Sequence, residues 1–157
     1  MGVSGCGKTT IGKMLSNALN IPFYDADDFH LQSNIKKMRS GFPLNDGDRF
    51  PWLNILANNL KLWNDSEGAI LSCSALKEKY RQQLSKEVST IKWIYLEGSY
   101  DIIKQRIENR TQHYQKSNML QSQFDILEVP NYGIHININN EPQDIITYIL
   151  NKINNNE

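Results

Sequence analysis

The chain has 157 residues, of which 39% are hydrophobic, and its 17 basic residues balance its 17 acidic ones. This length and composition suffice for one domain with a buried core, which we expect over residues 1–157. The zero net charge excludes a broad basic surface for nucleic acid, and no apolar stretch approaches the length that crosses a membrane. We therefore expect neither nucleic acid nor a membrane as a partner.

The first motif lies at the start of the chain. Residues 2–9, Gly-Val-Ser-Gly-Cys-Gly-Lys-Thr, match the phosphate-binding pattern G-x-x-x-x-G-K-[ST] at every fixed position. Glycines let a backbone wrap closely around phosphates, because they adopt dihedral angles that a β-carbon forbids. Lys8 is predicted to bridge the β- and γ-phosphates of ATP, and Thr9 to bind Mg²⁺. The backbone amides predicted to cradle the phosphates belong to Gly2, Val3, Ser4, Gly5, Cys6 and Gly7.

The surroundings of this motif differ on its two sides. After it, apolar residues recur at the spacing of a buried helical face, at Ile11, Leu15 and Leu19 among others. A phosphate loop follows a strand that is buried on both faces of a parallel sheet, and only Met1 precedes the motif. We therefore expect that the first strand of the sheet is missing or truncated and that Met1 is its last residue.

Beyond the motif, hydrophobic periodicity predicts alternating strands and helices. Strands are predicted at residues 23–25, 69–73, 91–96 and 134–138. Helices are predicted over 33–38, from Pro51, around 76–84, after the capping residues Ser99 and Ser117, and over 145–153, with a turn-rich loop at 40–50. This alternation favours a parallel sheet covered on both faces. The predicted fold is α/β, of the P-loop NTPase type, with about five strands in the complete sheet.

Two aspartates follow the first predicted strand. Asp25 and Asp27 are two residues apart, so their carboxylates project to the same side of an extended backbone. Ligands of such sheets bind at the carboxyl ends of the strands, which places both residues beside the phosphate loop. We expect Asp25 to hold a water bound to Mg²⁺, and Asp27 to orient the acceptor hydroxyl and take its proton. No guanine-binding N-K-x-D motif occurs, so a small-molecule kinase is favoured over a GTPase.

Further charged residues are candidate substrate ligands. Arg49 lies in a segment of interleaved acids and amides, which suits a polyhydroxylated acid, because arginine binds a carboxylate through paired hydrogen bonds. Lys77 and Arg81 share one helical face, although isolated basic residues are more often solvated. His30 stays open between a substrate ligand and a capping or surface histidine.

Two arginines one helical turn apart introduce a polar segment. Arg106 and Arg110 precede the sequence Thr-Gln-His-Tyr-Gln-Lys. A short polar segment between two helices is typical of a lid that closes over ATP, so we predict a lid over about 106–118. The two guanidinium groups would stack on adenine and neutralise the transferred phosphoryl group. The alternative is an ordinary helix with exposed arginines.

Cys6 and Cys73 are the only cysteines, and their spacing suggests neither a metal site nor a disulfide scaffold. A reducing, cytoplasmic compartment is therefore expected. Because Lys8 and a helix N-terminus favour a thiolate, we expect Cys6 to react with thiol reagents.

These segments together resemble the gluconokinases of the shikimate-kinase-like group of P-loop kinases. The most specific matches are Pro-Leu-Asn-Asp-x-Asp-Arg-x-Pro-Trp-Leu at 43–53 and Cys-Ser-Ala-Leu-Lys at 73–77, and Asp-Ala-Asp at 25–27 and Ser-Gln-Phe at 122–124 also match. The resemblance implies phosphorylation of the terminal hydroxyl of D-gluconate by ATP with Mg²⁺, in the cytosol, by a homodimer. It implies a substrate-binding segment over about 30–65. It also implies catalytic roles for Lys8, Asp27 and Arg110, and substrate binding by His30, Arg49, Lys77 and Arg81.

Two alternatives remain open at this point. A shikimate-type kinase would share the paired aspartates, but its glycine triplet is absent where this chain has Ser-Cys-Ser at 72–74. A nucleotide-binding but inactive form is the second alternative, because a sheet that lacks its central strand is unstable.

Overall fold

A computed structural model describes residues 1–109 and 116–155, with the side chains of 116–118 outside that description. The helices are α1 (Lys8–Leu19), α2 (Gln32–Arg39), α3 (Asp46–Asn64), α4 (Glu78–Ser85), α5 (Tyr100–Glu108), α6 (Lys116–Ile126) and α7 (Pro142–Asn154), with a short 3-10 helix at Ala26–Phe29. The strands are β1 (Phe23–Asp25), β2 (Ile70–Ser72), β3 (Ile94–Glu97) and β4 (Ile134–Asn137). None of the described helices combines the length and hydrophobicity that crossing a bilayer requires.

The described strands form two separate parallel pairs. β1 pairs with β2, which sets Asp25 opposite Ser72, and β3 pairs with β4, which sets Glu97 opposite Asn137. Helices connect the strands, because two parallel strands can be joined only by a crossover. The predicted α/β class with parallel strands is confirmed, but the expected single sheet is divided in two.

The division between the two pairs lies at the N-terminus of the chain. Met1 donates from its amino group to the Ile94 carbonyl at 2.5 Å and accepts from the Leu96 N–H at 3.0 Å. Behind it a cavity of about 360 Å³ opens between β2 and β3, with Leu71, Cys73, Trp93 and Ile94 in its wall. Burial lowers the pKa of the Met1 amino group to about 6.

The core follows the two strand pairs. One cluster joins α1, α5 and α7 to β3 and β4, through Leu15, Leu96, Ile103, Ile136 and Ile149 among others. The second packs α3 and α4 against the end of β2, through Trp52, Leu56, Cys73, Tyr80 and Leu84. Burial of these apolar faces fixes where the polar ends of the elements meet.

Helix α3 begins earlier than predicted. Asn45 accepts from the Asp48 N–H at 2.9 Å, and the Asp48 carboxylate accepts from the Asn45 N–H at 2.8 Å. This reciprocal capping box starts the helix at Asp46, so Pro51 lies inside it and residues 46–50 are helical. The loop predicted over 40–50 is therefore too long, and Arg49 is presented by a helix.

The two predicted serine caps differ in outcome. Ser99 accepts from the Ile102 N–H at 3.4 Å at the start of α5, as predicted. Helix α6 already includes Ser117, so the cap predicted there is wrong.

Candidate active site

The loop over residues 2–9 has the backbone that a phosphate cradle requires. Gly5 and Gly7 have φ angles of 82° and 100°, in the left-handed region that side chains disfavour. A β-carbon at Gly5 would also lie 2.7 Å from Ile107 Cγ1. The Lys8 ammonium returns over the loop and donates to the Val3 carbonyl at 2.9 Å. The loop thus surrounds a small space at the N-terminus of α1.

The amides of this loop fall into two groups. The Gly2 N–H donates to the Ser74 carbonyl at 3.2 Å, and the Cys6 N–H donates to the Val3 carbonyl at 3.4 Å. Within the part of the chain that the structure describes, the amides of Gly5, Gly7 and Lys8 make no hydrogen bond. These amides are therefore the ones that an anion can use.

The amide of Ser4 has a partner from a distant helix. It donates to Oε1 of Gln123, on α6, at 2.6 Å. Sequence reasoning included Gln123 only in the Ser-Gln-Phe segment of the family resemblance and gave it no role. The contact joins the phosphate loop to the helix that follows the predicted lid.

Asp25 links the phosphate loop to Asp27. Its Oδ2 accepts from the Thr9 hydroxyl at 3.0 Å, and its Oδ1 accepts from the Asp27 N–H at 3.2 Å. The second bond caps the short helix Ala26–Phe29. A hydroxyl and a carboxylate are the hard oxygen donors that Mg²⁺ prefers. Among the described residues no group of three or more His, Cys, Asp or Glu side chains could hold a metal, so this pair supplies only part of a coordination shell.

His30 lies beneath Asp27. Its side chain is 5% exposed, and Nε2 lies 3.8 Å from Asp27 Oδ1, whereas the Asp27 side chain is 86% exposed. The His30 ring stacks on Trp52 at 4.3 Å between centroids, and the Trp52 indole N–H donates to the Ala26 carbonyl at 2.8 Å. Burial lowers the pKa of His30, an effect that Asp27 opposes and Arg49 reinforces. His30 is therefore neutral at neutral pH.

Arg49 and Lys77 meet at the start of α3. The Arg49 guanidinium donates to the Tyr80 hydroxyl at 3.3 Å, and the Lys77 ammonium donates to Asp46 Oδ1 at 3.0 Å. Lys79 and the Tyr80 hydroxyl also donate to the Asp46 carboxylate. Hydrogen bonds from Lys79, then Tyr80 and Lys77, hold the pKa of Asp46 well below its usual range. The structure thus brings two predicted substrate ligands together around an acid that sequence reasoning did not single out.

Arg81 lies in a different environment. Its side chain is 2% exposed and lies 2.8 Å from the Glu78 carboxylate. It also donates to the Tyr132 hydroxyl and to the Ala75 carbonyl, each at 2.9 Å. These partners enclose its guanidinium, which favours a positioning role, and substrate binding by Arg81 stays a prediction. It supports the start of α4, which carries Lys77 as its N-terminal flanking residue.

The predicted lid is described only at its edges. Arg106 is half-buried and donates to the Ile138 carbonyl at 2.7 Å, beside the end of β4. Arg110 and residues 111–115 lie outside the described residues. The lid prediction over 106–118, with Arg110 as a catalytic residue, therefore stays a prediction.

Cys6 does not have the surroundings of a reactive thiol. It is 1% exposed and packs in the first core cluster with Val3 and Leu96. Thiol reagents cannot reach it in the folded chain, so the expected reactivity is wrong. Cys73 is also buried, and burial raises the pKa of its thiol to about 11.

The comparisons with known proteins agree with this geometry. The family model described as shikimate kinase matches residues 4–154. The chain is 41% identical to the probable gluconokinase of Dictyostelium discoideum, covering 96% of this chain and 82% of that protein. It is 39% identical to the gluconokinase of Arabidopsis thaliana, covering 99% of this chain and 90% of that one. The crystal structure of a gluconokinase from Sinorhizobium meliloti 1021 superimposes with a TM-score of 0.89, at 33% identity over 99% of this chain and 89% of that chain.

Fold and site together define a P-loop kinase: a glycine-rich loop opens a helix, and a paired-aspartate segment is hydrogen-bonded to that helix. A shikimate kinase from Aquifex aeolicus shares the fold at 19% identity and a TM-score of 0.59. The sequence identity of this chain to the gluconokinases is about twice its identity to this shikimate kinase, which places it among the gluconokinases. The chain belongs to the gluconokinase family of shikimate-kinase-like P-loop kinases.

Proposed function

We propose that this protein is a gluconokinase that transfers the γ-phosphoryl group of ATP to the terminal hydroxyl of D-gluconate, giving 6-phospho-D-gluconate and ADP. The observation that carries the proposal is the bridge through Asp25. One carboxylate holds both the Thr9 hydroxyl of the phosphate loop and the Asp27 N–H. Relatives named gluconokinases, about 40% identical over most of the chain, support the choice of substrate.

The phosphate loop would bind the nucleotide. The amides of Gly5, Gly7 and Lys8 would bind phosphate oxygens, and the Lys8 ammonium would leave the Val3 carbonyl to neutralise the transferred group. Thr9 and Asp25 would hold Mg²⁺, directly or through water, and the ion would neutralise charge on the phosphates when bound. Arg106 and Arg110 would close over the nucleotide as part of the lid.

We assign the role of general base to Asp27. Its exposed carboxylate would accept a hydrogen bond from the terminal hydroxyl of gluconate and take its proton as the oxygen bonds to phosphorus. The hydrogen bond from the Asp27 N–H to the Asp25 carboxylate fixes the backbone position of Asp27. His30, held by Trp52, would support the substrate beside Asp27, and Arg49 and Lys77 would bind its polar chain and carboxylate. We assign Arg81 a positioning role beneath Lys77.

The proposal treats residues 1–157 as one kinase domain with a substrate segment over 30–65. The cytoplasmic compartment and the homodimer rest on the family resemblance alone. Sedimentation of the purified chain would test the dimer, which a monomeric mass at micromolar concentration would refute.

A coupled assay of ADP release tests the substrate. D-gluconate, shikimate, glycerate and nucleoside monophosphates are compared at matched concentrations with ATP and Mg²⁺. We expect kcat/KM for gluconate to exceed that of every other acceptor by about 100-fold, because an acceptor of another length or shape would not place a carboxylate at the cations and a hydroxyl at Asp27 together. Equal turnover of shikimate would favour the shikimate-type alternative. Nucleotide binding without turnover of any acceptor would favour the inactive form.

A further inference from the structure

One carboxylate, that of Asp46, lies at the centre of several donors. Lys77 approaches Oδ1 at 3.0 Å and Oδ2 at 3.3 Å. Lys79 and the Tyr80 hydroxyl each contact one of the two oxygens. Arg49 stands behind Tyr80, with its guanidinium 3.3 Å from the phenolic oxygen and 5.6 Å from the ring centroid.

The charges in this cluster do not balance. Arg49, Lys77 and Lys79 carry three positive charges, and among the described residues Asp46 is the one carboxylate that the two lysines contact. The neighbouring Asp48 is paired with Lys37 at 2.5 Å and with the Asn45 N–H, although it also lies near Arg49. A surplus of positive charge around a solvent-accessible carboxylate is the environment that a second anion would be drawn to.

Asp46 is also poorly suited to a purely structural role. Its side chain is 42% exposed and that of Lys79 is 58% exposed, so much of the cluster faces solvent. The start of α3 depends on Asn45 and Asp48 rather than on the Asp46 side chain. The Asp46 side chain can therefore lose its hydrogen-bond partners without unfolding the start of α3.

We propose that Lys77, Lys79 and Tyr80 form the subsite for the carboxylate of the sugar acid, and that Asp46 competes with the substrate for it. The inference rests on the proposed function and adds to it the residues that select an acid over a neutral polyol. A side-chain carboxylate and a sugar-acid carboxylate are the same chemical group, so donors that satisfy one satisfy the other. On binding, the displaced Asp46 turns to water, which its exposure permits.

The position of the subsite suits this role. Arg49 links the cluster to the acceptor end of the site, because it contacts Tyr80 and its charge also acts on His30 beneath Asp27. A hydroxy acid whose carboxylate lies at the lysines would run past Arg49 and present its other end toward Asp27.

Four variants test the competition. Lys79→Met removes one donor, Tyr80→Phe removes the phenolic hydroxyl, and Asp46→Asn removes the competing charge while keeping an acceptor. Lys86→Met is the matched control, because Lys86 is an exposed lysine at the opposite end of α4 and lies outside the substrate segment. For each variant, KM and kcat are measured with D-gluconate and with its neutral amide, and gluconate binding without nucleotide is measured by calorimetry.

Removing a donor and removing the competing charge should change KM for gluconate in opposite directions. Lys79→Met and Tyr80→Phe should each raise KM for gluconate about fivefold, a moderate factor because the site is partly solvated. Asp46→Asn should lower it about threefold, because the internal competitor loses its charge. The KM values for ATP and for the neutral amide should stay within about twofold in every variant, and Lys86→Met should match the unaltered protein.

The outcomes separate the two proposals. If the unaltered protein does not phosphorylate gluconate, the proposed function fails and the subsite fails with it. If it does so, but Lys79→Met and Tyr80→Phe behave like Lys86→Met, the subsite alone is wrong. A rise in KM for Asp46→Asn, with an unchanged melting temperature, would also overturn the competition, because Asp46 would then be a substrate ligand.

Discussion

Replacing Asp27 by asparagine removes the proposed base and almost nothing else. The side chain is 86% exposed, and its separation of 3.8 Å from His30 Nε2 is too long for a hydrogen bond. The bond that positions the residue comes from its backbone N–H to Asp25, which asparagine keeps. Asp27→Asn should therefore change the free energy of unfolding by less than about 0.5 kcal/mol.

The expected loss of activity is much larger. A positioned general base contributes a factor of about 10² to 10⁴, so kcat should fall about 1000-fold, which corresponds to about 4 kcal/mol in the activation barrier. ATP affinity should stay within about twofold, because the loop amides and Lys8 are untouched. Coupled ADP release gives kcat, equilibrium binding of a fluorescent ATP analogue gives the affinity, and thermal unfolding gives the stability.

The neighbouring residue supplies a matched control. Asp28 is exposed in the same short helix, so Asp28→Asn makes the same change in charge one position further along the chain. It should retain kcat within about twofold, because a surface charge contributes little. The base assignment is refuted if Asp27→Asn retains more than about a tenth of kcat, or if Asp28→Asn loses as much.

Three further substitutions test the supporting structure. Arg81→Met should lower the free energy of unfolding by about 3 kcal/mol, because it leaves the buried Ala75 carbonyl without its donor. A rise in gluconate KM with unchanged stability would instead show that Arg81 contacts the substrate. Gly98→Ala should cost about 1 to 3 kcal/mol in chemical denaturation, since the new β-carbon would overlap Ile138 Cδ1, and an unchanged denaturation midpoint would contradict that packing. Trp52→Phe should cost about 2 kcal/mol in thermal unfolding, through the unpaired Ala26 carbonyl and the smaller ring, and a melting temperature within about 1 °C of the unaltered protein would refute this.

Local patterns were sufficient for several parts of the site. The phosphate loop, the Asp25–Asp27 pair and the Ser99 cap each depend on residues a few positions apart, so their spacing carries the information. The early start of α3 was also present in the sequence, as Asn45 with Asp48 three residues later. It was missed because Pro51 gave a stronger signal for the first turn.

Other parts depend on residues that are far apart in the chain. The Ser4 N–H meets Gln123 across 119 positions, Arg81 meets Tyr132 across 51, and Lys77 meets Asp46 across 31. No local spacing distinguishes a buried arginine from a solvated one, because its burial depends on which segment packs over it. The same is true of an acid surrounded by lysines from another helix.

The amino-acid sequence was therefore enough for the α/β class, the nucleotide loop and the kinase branch, since each is encoded in contiguous residues. The enclosure of Arg81 and the gathering of cations around Asp46 arise when α3, α4 and the segment before β4 pack together, whereas the division of the strands into two pairs lies at Met1, between β2 and β3. Those arrangements depend on long-range burial and hydrogen bonding, which become defined when the chain is folded.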